Sequence, residues 1–266
     1  MYQTLDAEAA LAALDWQIAL GADEAISDTQ VNRFETVAPK PVVDPPVASS
    51  QAIVAKKEKA EAEWLDSHAV VAAEQMAAAA ADLAGLRAAL AAYEFCDLKK
   101  GARNLVFADG NPAARVMVIG EAPGRDEDRE GLPFVGRAGQ LLDRMFAAIS
   151  LDRRGETPDQ SLYIANVLPW RPPQNRDPNP EEVAMMMPFL RRHIALANPD
   201  FLVLMGNIAC LALLGERGIT RLRGNWAEVA GKPVLPMFHP AYLLRSPEKK
   251  REAWADLQSI KARLIS

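Results

Sequence analysis

From Asn104 onward, apolar runs alternate with stretches that repeat at helical spacing. The runs Arg115–Ile119, Leu162–Leu168, Phe201–Gly206 and Pro233–Phe238 are almost unbroken in hydrophobic residues, as strands buried on both faces are. Between them, Gly136–Ile149, Pro180–Ala197 and Asn207–Leu214 place apolar residues three and four apart, and Lys250–Leu264 closes the series. Apolar strands alternating with helices predict an α/β fold, a three-layer α/β/α sandwich around a central four-stranded parallel sheet. The strand ends then collect Glu121, Asn166, Gly206 and His239 on one edge of that sheet, where open α/β sheets bind ligands.

The first ninety residues have a different texture. Apolar positions including Leu11, Leu14, Trp16 and Ile18 predict a short helix over Ala7–Leu20. The stretch that follows, "DTQVNRFETVAPKPVVDPPVASSQ", holds four prolines and few apolar residues, and reads as a linker. Residues 51–92 are alanine-rich, and "MAAAAADLAGLRAALAAYEF" is strongly helix-forming. The expected organisation is a short N-terminal helix over 1–25 and a proline-rich disordered linker over 26–50. A helical extension over 51–92 then leads to one α/β domain over 93–266.

Charge sharpens this division. Residues 1–90 hold 14 acidic and 6 basic side chains, leaving 21 acidic and 24 basic over 91–266. The C-terminal part is mildly basic and compatible with nucleic acid, whereas the N-terminal part would repel phosphate. No apolar run approaches the roughly 20 residues of a membrane span, and the acidic N-terminus lacks a secretory n-region. Two cysteines, Cys96 and Cys210, make no disulfide framework and suit a reducing compartment. A cytoplasmic monomer with no membrane partner is expected.

Three stretches could carry chemistry. In "VMVIGEAPGRDEDREGLPFVG" a strand stops at Pro123, which cannot donate to a ladder. Neither G-x-x-x-x-G-K-[ST] nor G-x-G-x-x-G is present, and the carboxylates would repel a phosphate. A turn with solvated charges over 125–130 is the plain alternative, with Phe134 as a core residue. In "LYIANVLPWRPPQNRDPNPEE", Asn166 interrupts an apolar strand, where an amide costs about 1–3 kcal/mol unless hydrogen-bonded. It serves either the backbone or a ligand. The stiff proline-rich loop behind it carries Arg171, Asn175 and Arg176, residue types that hold phosphates. In "MFHPAYLLRSP", His239 is followed by Tyr242, Leu243, Leu244 and Arg245, and apolar wedges beside an arginine are what proteins push into a DNA groove.

Taken in order, "GNPAARVMVIGEAPGRDEDREGLPFVGRAGQLLDRM", "LYIANVLPWRPPQNRDPNPEE" and "PMFHPAYLLRSP" resemble the uracil-DNA glycosylase superfamily, most specifically its family 4. The resemblance runs from about Tyr93 to the C-terminus. It implies an enzyme of base excision repair that flips uracil out of DNA and hydrolyses its glycosidic bond. His239, Glu121 and Asn166 are the implied catalytic residues. The base pocket is implied at Glu121, Ala122, Glu127, Phe134, Asn166 and His239. The DNA contacts are implied at Arg171, Asn175, Arg176, Tyr242, Leu243, Leu244 and Arg245. Phe134 would stack on the base, Asn166 would read it, and Glu127 would exclude thymine. Family 1 carries a water-orienting aspartate where this chain has Ala122, so a largely dissociative path is implied.

The chain departs from family 4 at the iron–sulfur cluster, which four cysteines hold there. Cys96 occupies the second ligand position, while Tyr93, Trp170 and Met186 occupy the others. No cofactor and no metal site are therefore expected. One alternative reading is a uracil-DNA- or abasic-site-binding protein of the same fold that does not turn over. Adduct-forming relatives carry an extra histidine after the second strand motif, and "PWRPPQNRDPNPEE" has none. The other is an interaction module in which residues 1–90 recruit a repair or replication protein. Purified protein should bind no stoichiometric iron and show no cluster band in its visible absorbance; either signal would overturn the expectation.

Overall fold

The apolar runs become strands of one sheet in the structure, a computed structural model that describes residues 68–265. The expected helix at 7–20, the linker at 26–50 and residues 51–67 of the helical extension lie outside the described residues. The strands are β1 (Asp109–Gly110), β2 (Val116–Gly120), β3 (Leu162–Asn166), β4 (Phe201–Met205), β5 (Ala227–Val229) and β6 (Lys232–Met237). Their order is β1-β3-β2-β4-β6-β5. The inner four run parallel, as the sequence pattern predicts. The short edge strands β1 and β5 pair antiparallel and were not expected, since two or three residues with no apolar run leave no periodic signal.

Strand alternation builds the three layers. Met117, Ile119, Tyr163, Ala165, Leu202 and Leu204 face one way, into a core shared with α1 (His68–Ala79), α2 (Leu83–Ala92), α6 (Pro180–Ala197) and α7 (Asn207–Leu214). Val116, Val118, Leu162, Ile164, Phe201 and Val203 face the other way. They meet Leu142 and Phe146 of α5 (Arg137–Ala147) and Leu257 and Ile260 of α10 (Lys250–Ile265). Short helices complete the chain at α3 (Leu98–Gly101), α4 (Arg125–Glu130), α8 (Ile219–Leu222) and α9 (Pro240–Arg245).

Helix ends follow local chemistry. In α6, Pro180 opens the first turn, and the Glu182 carboxylate accepts the backbone N–H of Asn179 at 2.8 Å. The helix stops at Asn198, in the left-handed region at φ 48°. Asp82 caps α2 by accepting the Gly85 N–H at 2.7 Å.

Helices α1 and α2 pack on α6. Ala73, Ala77, Leu86 and Leu90 join the same apolar cluster as the sheet, and Arg192 of α6 donates to the Ala80 carbonyl. The described alanine-rich helices thus give one face to the core. Tyr93, Cys96, Trp170 and Met186, at most 3 % exposed, sit in that cluster too. The Tyr93 hydroxyl donates to the Ala69 carbonyl at 2.7 Å, and its ring meets Phe189 edge-on.

These four side chains do not suit a cluster that needs four thiolates. Only one is a thiol, and burial, with the Glu182 charge adding to it, pushes its pKa up, away from the ligating form. The second cysteine, Cys210, lies on α7. Among the described residues no three His, Cys, Asp or Glu gather as a metal site.

Leu86 is fully buried where α2 packs on α6, so Leu86→Ala should cost about 2–5 kcal/mol of stability, read as a shifted urea midpoint with the slope unchanged.

Candidate functional site

The parallel strands end together, and the chain crosses from β3 back over β2 to β4, so the crevice opens where strand order reverses. A cleft of about 760 Å³ lies there, within the usual range for small-molecule sites. Its walls come from four strand ends: Glu121 and Ala122 after β2, Asn166 closing β3, Gly206 and Asn207 after β4, and Phe238 and His239 after β6.

Gly120 and Asn166 are direct partners across the β2–β3 ladder. A methyl group on Gly120 would collide with Asn166 Oδ1 and would lie 2.6 Å from the Phe134 ring. The glycine therefore lets an amide and an aromatic ring meet over one stretch of backbone. Asn166 is 9 % exposed, and its Oδ1 is a buried oxygen without a hydrogen-bond partner. Such an orphan is costly in a folded protein, and it sits on the cleft wall.

Phe134 is buried, with its ring stacked on that of His239, centroids 5.5 Å apart and planes at 29°. His239 caps α9: its Nδ1 accepts the Ala241 N–H at 3.1 Å, which leaves the ring proton on Nε2. Burial, helped by the nearby Arg245 charge, pushes its pKa down to about 4. His239 is thus a neutral hydrogen-bond donor through the physiological range. Glu121 moves the opposite way. Burial raises its pKa to about 6, with the Asp177 charge adding and Arg217 partly offsetting. Burial thus shifts both Glu121 and His239 toward their neutral forms.

The cleft brings together most of the residues singled out in the sequence: Glu121, Ala122, Glu127, Phe134, Asn166, Asn175, Arg176, His239, Tyr242 and Arg245 all line it. Five of the residues singled out are engaged by other parts of the fold. Leu243 is 1 % exposed and packs with Leu141, Phe238 and Ala253, so it is a core residue and not a wedge. Leu244 packs against the same group and does not line the cleft. Arg176 already directs both terminal nitrogens at Glu182, at 2.9 and 2.6 Å, so it staples the proline-rich loop to α6. Burial works to raise the Glu182 pKa, but the hydrogen bonds from Arg176 and Asn179 prevail and hold it below the usual value. Arg171 donates to Asn175 Oδ1 at 2.8 Å and lies outside the cleft wall.

The Glu127 carboxylate is also committed. It accepts the N–H groups of Gly124, Val135 and Gly136 at 3.1, 3.0 and 2.9 Å, folding the turn around Phe134. Sequence reasoning missed Gly120, Arg217 and Gly218–Thr220, which also belong to the wall or its floor. Gly120 had a signal, an apolar strand ending in glycine; the 217–220 loop had none.

Residues 107–258 match the family model of the uracil DNA glycosylase superfamily. The chain belongs to that superfamily. It is 40% identical over 172 residues to a type-4 uracil-DNA glycosylase of Thermotoga maritima, covering 63% of this chain and 86% of that one. A type-4 enzyme of Archaeoglobus fulgidus is 41% identical over 174 residues, 62% of this chain and 84% of its own. A type-5 enzyme of Pyrobaculum aerophilum is 32% identical over 146 residues, half of this chain and 64% of its own. Family 4 is the nearer group on both identity and coverage, in line with the motifs. Among the described residues of this superfamily member, no helix is long and apolar enough to cross a membrane.

Because the folded pKa of Glu121 lies above the ordinary value, the native state pays for its charge above pH 6 and not below about 4.5. Glu121→Gln should therefore melt at a higher temperature than wild type at pH 8 and at the same temperature at pH 4, by thermal denaturation across pH.

Proposed function

We propose that this protein is a DNA repair glycosylase that rotates uracil out of DNA and hydrolyses its N-glycosidic bond, leaving an abasic site. The observation that carries the reading is the buried, unpartnered Asn166 amide oxygen beside a stacked aromatic ring and a neutral histidine, all on one cleft wall. A planar base with polar edges satisfies all three at once. The type-4 relatives, matched over most of their length, support the same activity.

A base inside a duplex cannot reach this cleft, so the nucleotide must swing out at a cost of a few kcal/mol of unstacking. Stacking on Phe134 returns about 1–3 kcal/mol. Asn166 offers a carbonyl to uracil N3–H and an amine to O4. Cytosine presents the reverse pattern and would leave two buried groups unpaired, which is how the amide discriminates. With Glu127 bound to three backbone N–H groups, thymine is excluded through the turn it holds, which brings the pocket wall up to the base.

Bond cleavage puts negative charge on uracil O2 and positive charge on the sugar. Nε2–H of His239 donates to O2 as that charge grows. Being neutral throughout, it stabilises the anion without having to protonate it. Ala122 has nothing with which to orient water, so the path is largely dissociative. Glu121, when ionised, stands nearest to stabilise the cationic sugar or hold the attacking water. The groove is gripped by Tyr242 and Arg245 at the cleft mouth and by Asn175 on the loop that Arg176 holds in place. The buried Leu243 keeps α9 rigid, which leaves Tyr242 as the side chain at the mouth able to fill the vacated stack.

No cofactor takes part in this reading. A non-turnover binding protein of the same fold remains the second reading, as does a recruiting role for residues 1–90 alongside catalysis. Uracil release from labelled oligonucleotides decides. Wild type should release free uracil and leave an alkali-labile abasic site. His239→Ala and Asn166→Ala should each slow release by about 10²–10³-fold. Tight binding with neither free base nor adduct would leave only the binding role, and full activity in both variants would refute the site.

A further inference from the structure

Phe134, the platform of the pocket, has φ 54°. For a bulky side chain this left-handed conformation is strained, and it persists only where surrounding groups hold it. On one side stands Glu127, described above. On the other stands Arg153, whose Nη1 donates to the Pro133 carbonyl at 3.0 Å and whose Nη2 donates to the Phe134 carbonyl at 2.9 Å. Two carboxylates fix the guanidinium: Asp109 of the edge strand β1 at 2.8 Å, and Asp143 of α5 at 2.9 Å from Nε. The side chain is 10 % exposed. Gly139 permits the arrangement, because a Cβ there would run into the Phe134 carbonyl.

We propose that Arg153 is a positioning residue for base recognition, a fork that grips the Pro133 and Phe134 carbonyls and so fixes the ring plane on which the flipped base stacks. The role rests on the glycosylase reading above. A guanidinium suits it because four of its five N–H donors can address two carbonyls and two carboxylates in one plane, which an ammonium on a flexible stem cannot do. The two devices are complementary: Glu127 accepts from the amides after Phe134, and Arg153 donates to the carbonyls before and at it. Between them the peptide groups flanking the strained residue are fixed before any substrate arrives. The ring therefore meets the base already oriented, and binding need not supply that ordering.

The test measures uracil release from a U·G duplex under single-turnover conditions, and inhibition by free uracil. The proteins are wild type, Arg153→Met, Arg153→Lys, Phe134→Ala and the Arg153→Met/Phe134→Ala double variant, each confirmed folded by circular dichroism. Arg153→Met should slow release and weaken uracil inhibition by about 10- to 100-fold, with affinity for uracil-free duplex unchanged. Arg153→Lys should recover only part of the loss. In the Phe134→Ala background, Arg153→Met should add no more than about twofold, because both act through one ring. Losses that multiply, or a folded Arg153→Met with wild-type uracil inhibition, would overturn the role while leaving the glycosylase reading intact. If Arg153→Met does not fold, Arg153→Lys with and without Phe134→Ala gives the same two outcomes. A wild type that releases no uracil would overturn the activity and this role together.

Discussion

The site depends on one close approach. Gly120 faces Asn166 across the β2–β3 ladder, and only its missing side chain lets the amide oxygen and the Phe134 ring share that space. The register of two parallel strands therefore determines which group reads the base and where its stacking platform lies. A slip of that register by one residue would turn every side chain of a strand to the other face and move Gly120 off Asn166. The alternating cores on the two faces, with Met117 and Ile119 on one and Val116 and Val118 on the other, hold the recognition geometry as firmly as they hold the fold.

Around this contact, burial shifts two titratable groups of the cleft, His239 and Glu121, toward their neutral forms. His239 gains a proton only well below neutral pH, and Glu121 loses its own at a higher pH than an ordinary glutamate, both chiefly through burial. A buried donor such as His239 is strong toward charge that develops during reaction. Two of the ion pairs near the site are structural, Arg176 with Glu182 and Arg153 with Asp109 and Asp143, and they shape the loops that carry the pocket, while Asp177, Arg217 and Arg245 bring charge to the cleft itself.

Much of this was legible in the sequence because apolar runs and strand ends are local signals. The four parallel strands and the helices Pro180–Ala197 and Asn207–Leu214 follow from periodicity alone, and Glu121, Asn166 and His239 fall on one edge once the strands are parallel. What escaped depends on partners distant in the chain. Leu243 looks like an exposed wedge in "AYLLRS" until α9 packs it against Leu141 and Ala253. Arg176 looks like a phosphate ligand until Glu182, six residues on and across the start of α6, takes its fork. Asp109 and Arg153 lie 44 residues apart, and nothing local marks them as a pair. The short strands β1 and β5 carry no pattern at all.

The Arg176–Glu182 fork has a consequence for how the protein would respond to ionic strength. An arginine already neutralised by a carboxylate displaces few cations from a phosphate backbone, so Arg176 contributes loop shape more than counterion release, which falls to Arg171 with its neutral partner Asn175. The salt dependence of the loop's contact with DNA would therefore understate how many cationic side chains the loop carries.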